Sequence, residues 1–239
     1  MVPPLKKFFA VLCLGMTVCA SARGQQINNL DKWAESGFDS IWSFGQMPAT
    51  PTYGQTFRLP TDYDQINDFT FQLSSFGNGD VRFVAYLSEW DEAGGKLTGP
   101  LLYSGVTQTL LSSATSFTPF IFSVPTLVLD PTKTYVAFLS TSGLSGSVLD
   151  GSAAMGSPNF GYSDGVGAAY TGGRFVYFNN DDLAVLSTSK WEGIEANDEH
   201  RDAAFTASFS RSSQLVAVPE PAMYGLLATL TLGGAVLFR

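Results

Sequence analysis

The most constraining feature of this chain is a two-residue apolar rhythm. In Ile66–Leu73, INDFTFQL, the residues Phe69, Phe71 and Leu73 fall on one face, while Thr70 and Gln72 fall on the other. That is the period of a half-buried strand. In VRFVAYL, Val81, Phe83, Ala85 and Leu87 again share a face. Phe120–Val124 and Tyr135–Leu139 repeat the pattern, Phe175–Phe178 is a shorter run, and Phe205, Ala207 and Phe209 alternate with Thr206 and Ser208. Between these runs stand turn formers. Gly77-Asn78-Gly79-Asp80 suits a hairpin turn, because Gly and Asn accept positive φ. Asp130-Pro131-Thr132-Lys133 suits a type I turn, and Gly94-Gly95, Gly143–Gly146 and Gly172-Gly173 mark others. Away from the two ends no segment keeps a long 3.6-residue apolar period, and no fixed repeat is present. The expected fold is all-β: a two-sheet, jelly-roll-like β-sandwich over residues 38–211. Residues 23–37 read as a polar lead-in and 212–217 as a linker.

The ends carry a different signal. Lys6 and Lys7, the apolar Phe8–Val18 and the small-x-small Ala20-Ser21-Ala22 have the layout of a signal peptide over residues 1–22. The apolar run is shorter than the ~20 residues a membrane span needs. Both cysteines, Cys13 and Cys19, fall within it, so the processed chain is expected to hold no disulfide, cysteine nucleophile or thiolate metal site. Such an exported domain depends on its apolar core.

Only 14% of the 239 residues are charged, and the net charge is −8. Between Gly24 and Phe238, nine basic residues face 21 acidic ones, a balance of −12. This disfavours nucleic acid and anionic membrane as partners. It is compatible with neutral glycans, calcium or simple solubility.

The chain finishes VPEPAMYGLLATLTLGGAVLFR, Val218 to Arg239. Ala222–Phe238 carries no charge and as a helix would be about 26 Å long, slightly short of a bilayer core. Arg239 would sit on the cytoplasmic side. Val218-Pro219-Glu220-Pro221, the apolar run with Gly225-Leu226-Leu227-Ala228, and the terminal Arg239 together closely resemble the PEP-CTERM sorting signal, over residues 218–239 with a membrane helix at 222–238. Many members have a basic cluster where this chain has the single Arg239. The resemblance implies exosortase, a membrane-embedded cysteine protease-transpeptidase, as processing partner, with Pro-Glu-Pro as the recognition element. It also implies transient membrane anchoring through the helix. The destination would be the cell surface or extracellular matrix of an exopolysaccharide- and biofilm-forming Gram-negative bacterium. The tail is also named the ice-binding protein C-terminal domain, which brings no ice-binding activity to the middle of the chain. GQTFRLP (Gly54–Pro60), TYVAFLS (Thr134–Ser140) and AFTASF (Ala204–Phe209) loosely resemble passenger domains of the same class, which bears on fold alone.

Evidence for catalysis is thin in the sequence, and the chain reads as a non-enzyme. His200 is the one histidine, and no Gly-x-Ser-x-Gly elbow is present. The most acidic aromatic stretch, Glu89-Trp90-Asp91-Glu92, offers carboxylates of the kind glycoside hydrolysis uses, but 21 acids make any chosen pair arbitrary. No cofactor is required. A structural Ca²⁺ could be held by Asp39, Asp198, Glu199 and Asp202 near strand ends, although their spacing is not that of an EF-hand; ordinary surface acids are the alternative. Trp90 in SEWDEAGGKLTG and Trp191 in SKWEG are flanked by polar and turn residues. They are candidates to stack on sugar rings, or else to plug the ends of the fold. A carbohydrate-binding module is therefore the rival reading, and a glycoside hydrolase-like enzyme the third.

Overall fold

The structure is a computed structural model, and it describes residues 24–33, 40–144, 151–158, 169–192 and 201–212. These residues form twelve strands: β1 (Gln25–Asn28), β2 (Ser40–Gly45), β3 (Thr52–Arg58), β4 (Gln65–Ser75), β5 (Val81–Asp91), β6 (Lys96–Ser104), β7 (Gln108–Leu110), β8 (Thr118–Val128), β9 (Thr134–Ser140), β10 (Ser152–Gly156), β11 (Phe175–Phe178) and β12 (Phe205–Ser210). They make two six-stranded antiparallel sheets. Sheet A runs β1-β12-β4-β10-β2, with β8 also paired to β4; sheet B runs β11-β3-β9-β5-β6, with β7 also paired to β5.

The alternating residues identified in the sequence line the space between the sheets. Phe69, Phe71 and Leu73 of β4 share one apolar core with Val81, Phe83, Ala85 and Leu87 of β5, Tyr135 of β9, and Phe205 and Phe209 of β12. Aromatic rings tie one sheet to the other. Phe57 of β3 lies 5.9 Å from Phe205 and 6.0 Å from Phe209, and Phe83 of β5 lies 5.9 Å from Phe44 of β2 and 5.0 Å from Phe120 of β8. Burying each ring contributes roughly 1.5–3 kcal/mol.

Sheet B is buried on its other face as well. Val84, Tyr86, Trp90, Val136, Phe138, Val176 and Phe178 form a second cluster there with Leu97, Leu186 and Trp191. This explains the unbroken TYVAFLS of β9, in which every residue is buried: a strand covered on both faces has no reason to alternate.

The structure revises three local expectations. Gln25–Asn28, read as lead-in, forms β1 and pairs with β12 in register from Gln25↔Phe209 to Asn28↔Thr206. Gly77-Asn78-Gly79-Asp80 does not close a hairpin, because β4 and β5 belong to different sheets. The positive φ of Gly77 (79°) instead turns the chain across the core, from one sheet to the other. Ser212, assigned to the linker, is bound to the folded part. Its N–H donates to Asp64 Oδ1 at 2.7 Å and its hydroxyl donates to Asp64 Oδ2. Asp130–Lys133 does turn as expected, with Lys133 N–H donating to Asp130 O at 3.1 Å.

Candidate functional site

The outer face of sheet B is where the strand ends bring chemistry together. β3 ends at Arg58, which pairs with Thr134 at the start of β9, and Thr134 pairs with Trp90 of β5. The chain then supplies a wall. Residues 170–174 cross the end of β3 before β11 begins, and Thr56 and Arg174 are laced together. Thr56 N–H donates to Arg174 O at 2.8 Å, and Arg174 N–H donates to Thr56 Oγ1 at 2.9 Å. Gly173 is required here, because a Cβ would fall on the Thr56 carbonyl. The result is a polar cleft of about 230 Å³ lined by Arg58, Glu92, Thr134, Thr171, Gly172, Gly173 and Arg174.

Both guanidinium groups in this cleft are held. Arg58 Nε donates to Thr134 Oγ1 at 3.2 Å, and Arg174 Nη2 lies 2.7 Å from Glu92 Oε1. The Tyr170 hydroxyl engages both the backbone N–H and the carbonyl of Arg58, each at 3.3 Å. Burial raises the Tyr170 pKa, so this phenol stays protonated through the physiological range.

Behind the wall sits Asp202, one of the acids considered for calcium. It is fully buried. Gln55 Nε2 donates to its Oδ1 at 2.8 Å and Tyr170 N–H donates to its Oδ2 at 2.9 Å. Ser157 Oγ donates to its backbone carbonyl at 2.6 Å. Desolvation raises its pKa to about 6, against the pull of the N–H donors and of Lys32. Asp202 is thus a buried acceptor that anchors the loop at Tyr170, not a surface acid. Among the described residues no three His, Cys, Asp or Glu side chains gather as a metal site. Asp39, Asp198 and Glu199, and the histidine His200, lie outside the described residues, as do Val218, Pro219, Glu220, Pro221 and Arg239. No described helix is long and apolar enough to cross a membrane, and residues 222–238 lie outside that statement.

Neither candidate tryptophan presents a face to a sugar. Trp90 is 5% exposed and Trp191 1%. Their rings meet edge to face at 5.5 Å, and Trp191 also packs against Phe138 at 5.2 Å and Phe178 at 5.7 Å. Trp191 Nε1 donates to Leu186 O at 3.0 Å. Polar flanks misled because a covering segment, residues 179–192, lays one aromatic on a sheet face that is itself apolar. The acids around Trp90 are also engaged. Glu89 pairs with Lys133 at 2.6 Å, Asp91 accepts from Ala93 N–H at 3.1 Å, and Glu92 holds Arg174.

The exposed tryptophan is Trp42, which sequence reasoning missed. It is 59% exposed and meets Phe76, 45% exposed, edge to face at 5.9 Å. A β-bulge sets it out. Ala153 pairs with Phe44 and Met155 with Ile41, so Trp42 and Ser43 together oppose Ala154, and Ser43 takes a φ of 70°. No residue pattern within SIWSFG announces that bulge. The cleft was missed for another reason, since its arginines are far apart in sequence and are joined only by strand pairing.

No family model matches this chain, and no curated protein matches it. Among solved structures it is similar to the clostridial cysteine protease Cwp84 after propeptide cleavage, at 12% identity and a TM-score of 0.48, covering 79% of this chain and 40% of that one. It is also similar to the cysteine protease and lectin-like domains of Cwp84, a surface layer associated protein of Clostridium difficile, at 12% identity and a TM-score of 0.43, covering 75% of this chain and 37% of that one. This chain therefore spans about two fifths of the length of those chains.

Proposed function

We propose that this chain is an exported, non-enzymatic protein of the cell surface or extracellular matrix, delivered there through its tail. The observation that carries the reading is the ordered run of Val218-Pro219-Glu220-Pro221, the uncharged Ala222–Phe238, and Arg239. Two prolines fix local φ and keep Glu220 in an extended strip, the form a protease or transpeptidase binds. The signal peptide of residues 1–22 takes the chain across the inner membrane, the apolar run holds it there, and an exosortase-like enzyme reads Glu220. The Asp64 clamp on Ser212 supports this arrangement, because it fastens the chain to the domain shortly before the motif. Sheet membership changes from A to B and back along β2, β3, β4 and β5, and again along β8 to β12, which supports a jelly-roll-like sandwich as the cargo. The acidic surface favours exopolysaccharide over nucleic acid as a neighbour.

The test is the mass and location of the mature protein in a host that has the enzyme. Wild type should lose the tail that includes Arg239. Glu220→Ala should insert in the membrane and remain unprocessed, and deletion of Ala222–Phe238 should release unprocessed protein to the periplasm. Normal processing of Glu220→Ala, or a mature wild type that keeps Arg239, would leave a plain tail anchor.

A further inference from the structure

The cleft at the end of β3 lies apart from the tail motif in sequence, and its chemistry selects a guest. We propose that it binds a monosaccharide bearing one carboxylate, a uronate unit of an acidic glycan. This inference is independent of the tail.

Charge favours an anion. Basic side chains are scarce, nine between Gly24 and Phe238, yet Arg58 and Arg174 line the same small cleft. With Glu92 as the one acid in the lining, the local balance is a single positive charge inside an acidic protein. A monoanion neutralises that balance. A dianion such as phosphate overshoots it and is repelled by Glu92.

The shape of the donors favours a carboxylate. A guanidinium presents a planar fork that matches a carboxylate. Among the described residues the Arg58 side chain makes one hydrogen bond, through Nε to Thr134. That bond orients the group and leaves its outer edge to a ligand.

The rest of the lining favours a sugar. Thr134 and Thr171 bring hydroxyl groups and Glu92 brings acceptor oxygens, the complement of a ring that carries several O–H groups. The volume of about 230 Å³ is below the ~300 Å³ at which pockets begin to take drug-sized ligands, so one sugar unit is the natural limit.

The cleft is also preorganised. Tyr170 fastens the wall to the Arg58 backbone, and Asp202 fastens Tyr170 from behind. A cleft held in this way loses little freedom when it is filled.

The experiment is calorimetric titration of the full-length chain in detergent micelles with glucuronate, galacturonate, glucose and inorganic phosphate. At least one uronate should bind saturably in the millimolar range, with glucose and phosphate weaker by about tenfold or more. Arg58→Gln should weaken uronate binding by about tenfold at an unchanged melting temperature, and Arg58→Lys should recover only part of it. Equal binding of glucose would overturn the role of charge, and tighter binding of phosphate would make the cleft a general anion patch. Absence of saturable heat with either uronate, or wild-type affinity in Arg58→Gln, would also overturn the proposal.

Discussion

Gln55 and Asp202 hold each other in the space between the sheets. Gln55 Nε2 donates to Asp202 Oδ1 at 2.8 Å, and Gln55 Oε1 accepts the N–H of Ala203 at 2.8 Å. A strand of sheet B is thereby bonded to the segment that leads into β12 of sheet A. Asn29 continues the lattice, with Nδ2 donating to Ala203 O and Oδ1 accepting from Phe205 N–H, both at 2.8 Å.

Burial of Asp202 makes stability depend on pH in an unusual direction. Its folded pKa of about 6 is above the ordinary 3.8, so between those values the folded state holds the proton more tightly than the unfolded chain. Stability should therefore fall as pH rises through that window, by on the order of 2–3 kcal/mol, and level off above it. Asp64 and Asp130 run the other way. Ser212 lowers the first pKa and Thr132 the second, so their contributions are lost as pH falls below 3.8. The melting temperature should rise as pH is lowered from about 6 to about 4 and drop in stronger acid. Asp202→Asn should flatten the upper slope; an unchanged slope would assign it to other groups.

The two kinds of tryptophan should separate in denaturation experiments. Trp191→Ala empties a buried site and removes the Leu186 bond, so a loss of about 3–5 kcal/mol is expected. Trp42→Ala removes a largely exposed ring and should cost less than about 1 kcal/mol. Urea midpoints measured by circular dichroism test both. A mild effect at Trp191 would mean that residues 179–192 do not seal sheet B.

Gly173→Ala should displace the cleft wall. The added methyl falls on the Thr56 carbonyl, which is backbone and cannot swing aside. A loss of about 1–3 kcal/mol is expected, with faster amide exchange at Thr56 as the local sign. Wild-type exchange at Thr56 would refute the contact.

A protein truncated to residues 25–215 should remain soluble and give a β-type far-UV spectrum with little helix, since the described strands share one core without either end. A helix-dominated spectrum would contradict the fold.

The strands legible in the sequence were those whose core-facing residues recur at every second position. Phe69, Phe71 and Leu73 announce β4 because Thr70 and Gln72 alternate with them. Phe175–Phe178 coincides with β11. β1 was illegible because QQIN places one apolar residue, Ile27, in a four-residue edge strand. The hairpin reading of Gly77–Asp80 failed because a glycine turn reverses the chain equally well within a sheet or between two. For the cleft, Arg58 and Arg174 become neighbours only through the pairing of β3 with β11, and no local pattern encodes that.

The pairing of β1 with β12 also has a mechanical consequence. Gln25 stands opposite Phe209, so the start of β1 and the end of β12 lie at the same end of one antiparallel pair. A pull between them would peel the pair open one hydrogen bond at a time instead of shearing all its bonds together. The junction also closes last. The bond from Phe205 to Asn29 spans 176 residues, so the first strand stays unpaired until almost all of the domain has been synthesised.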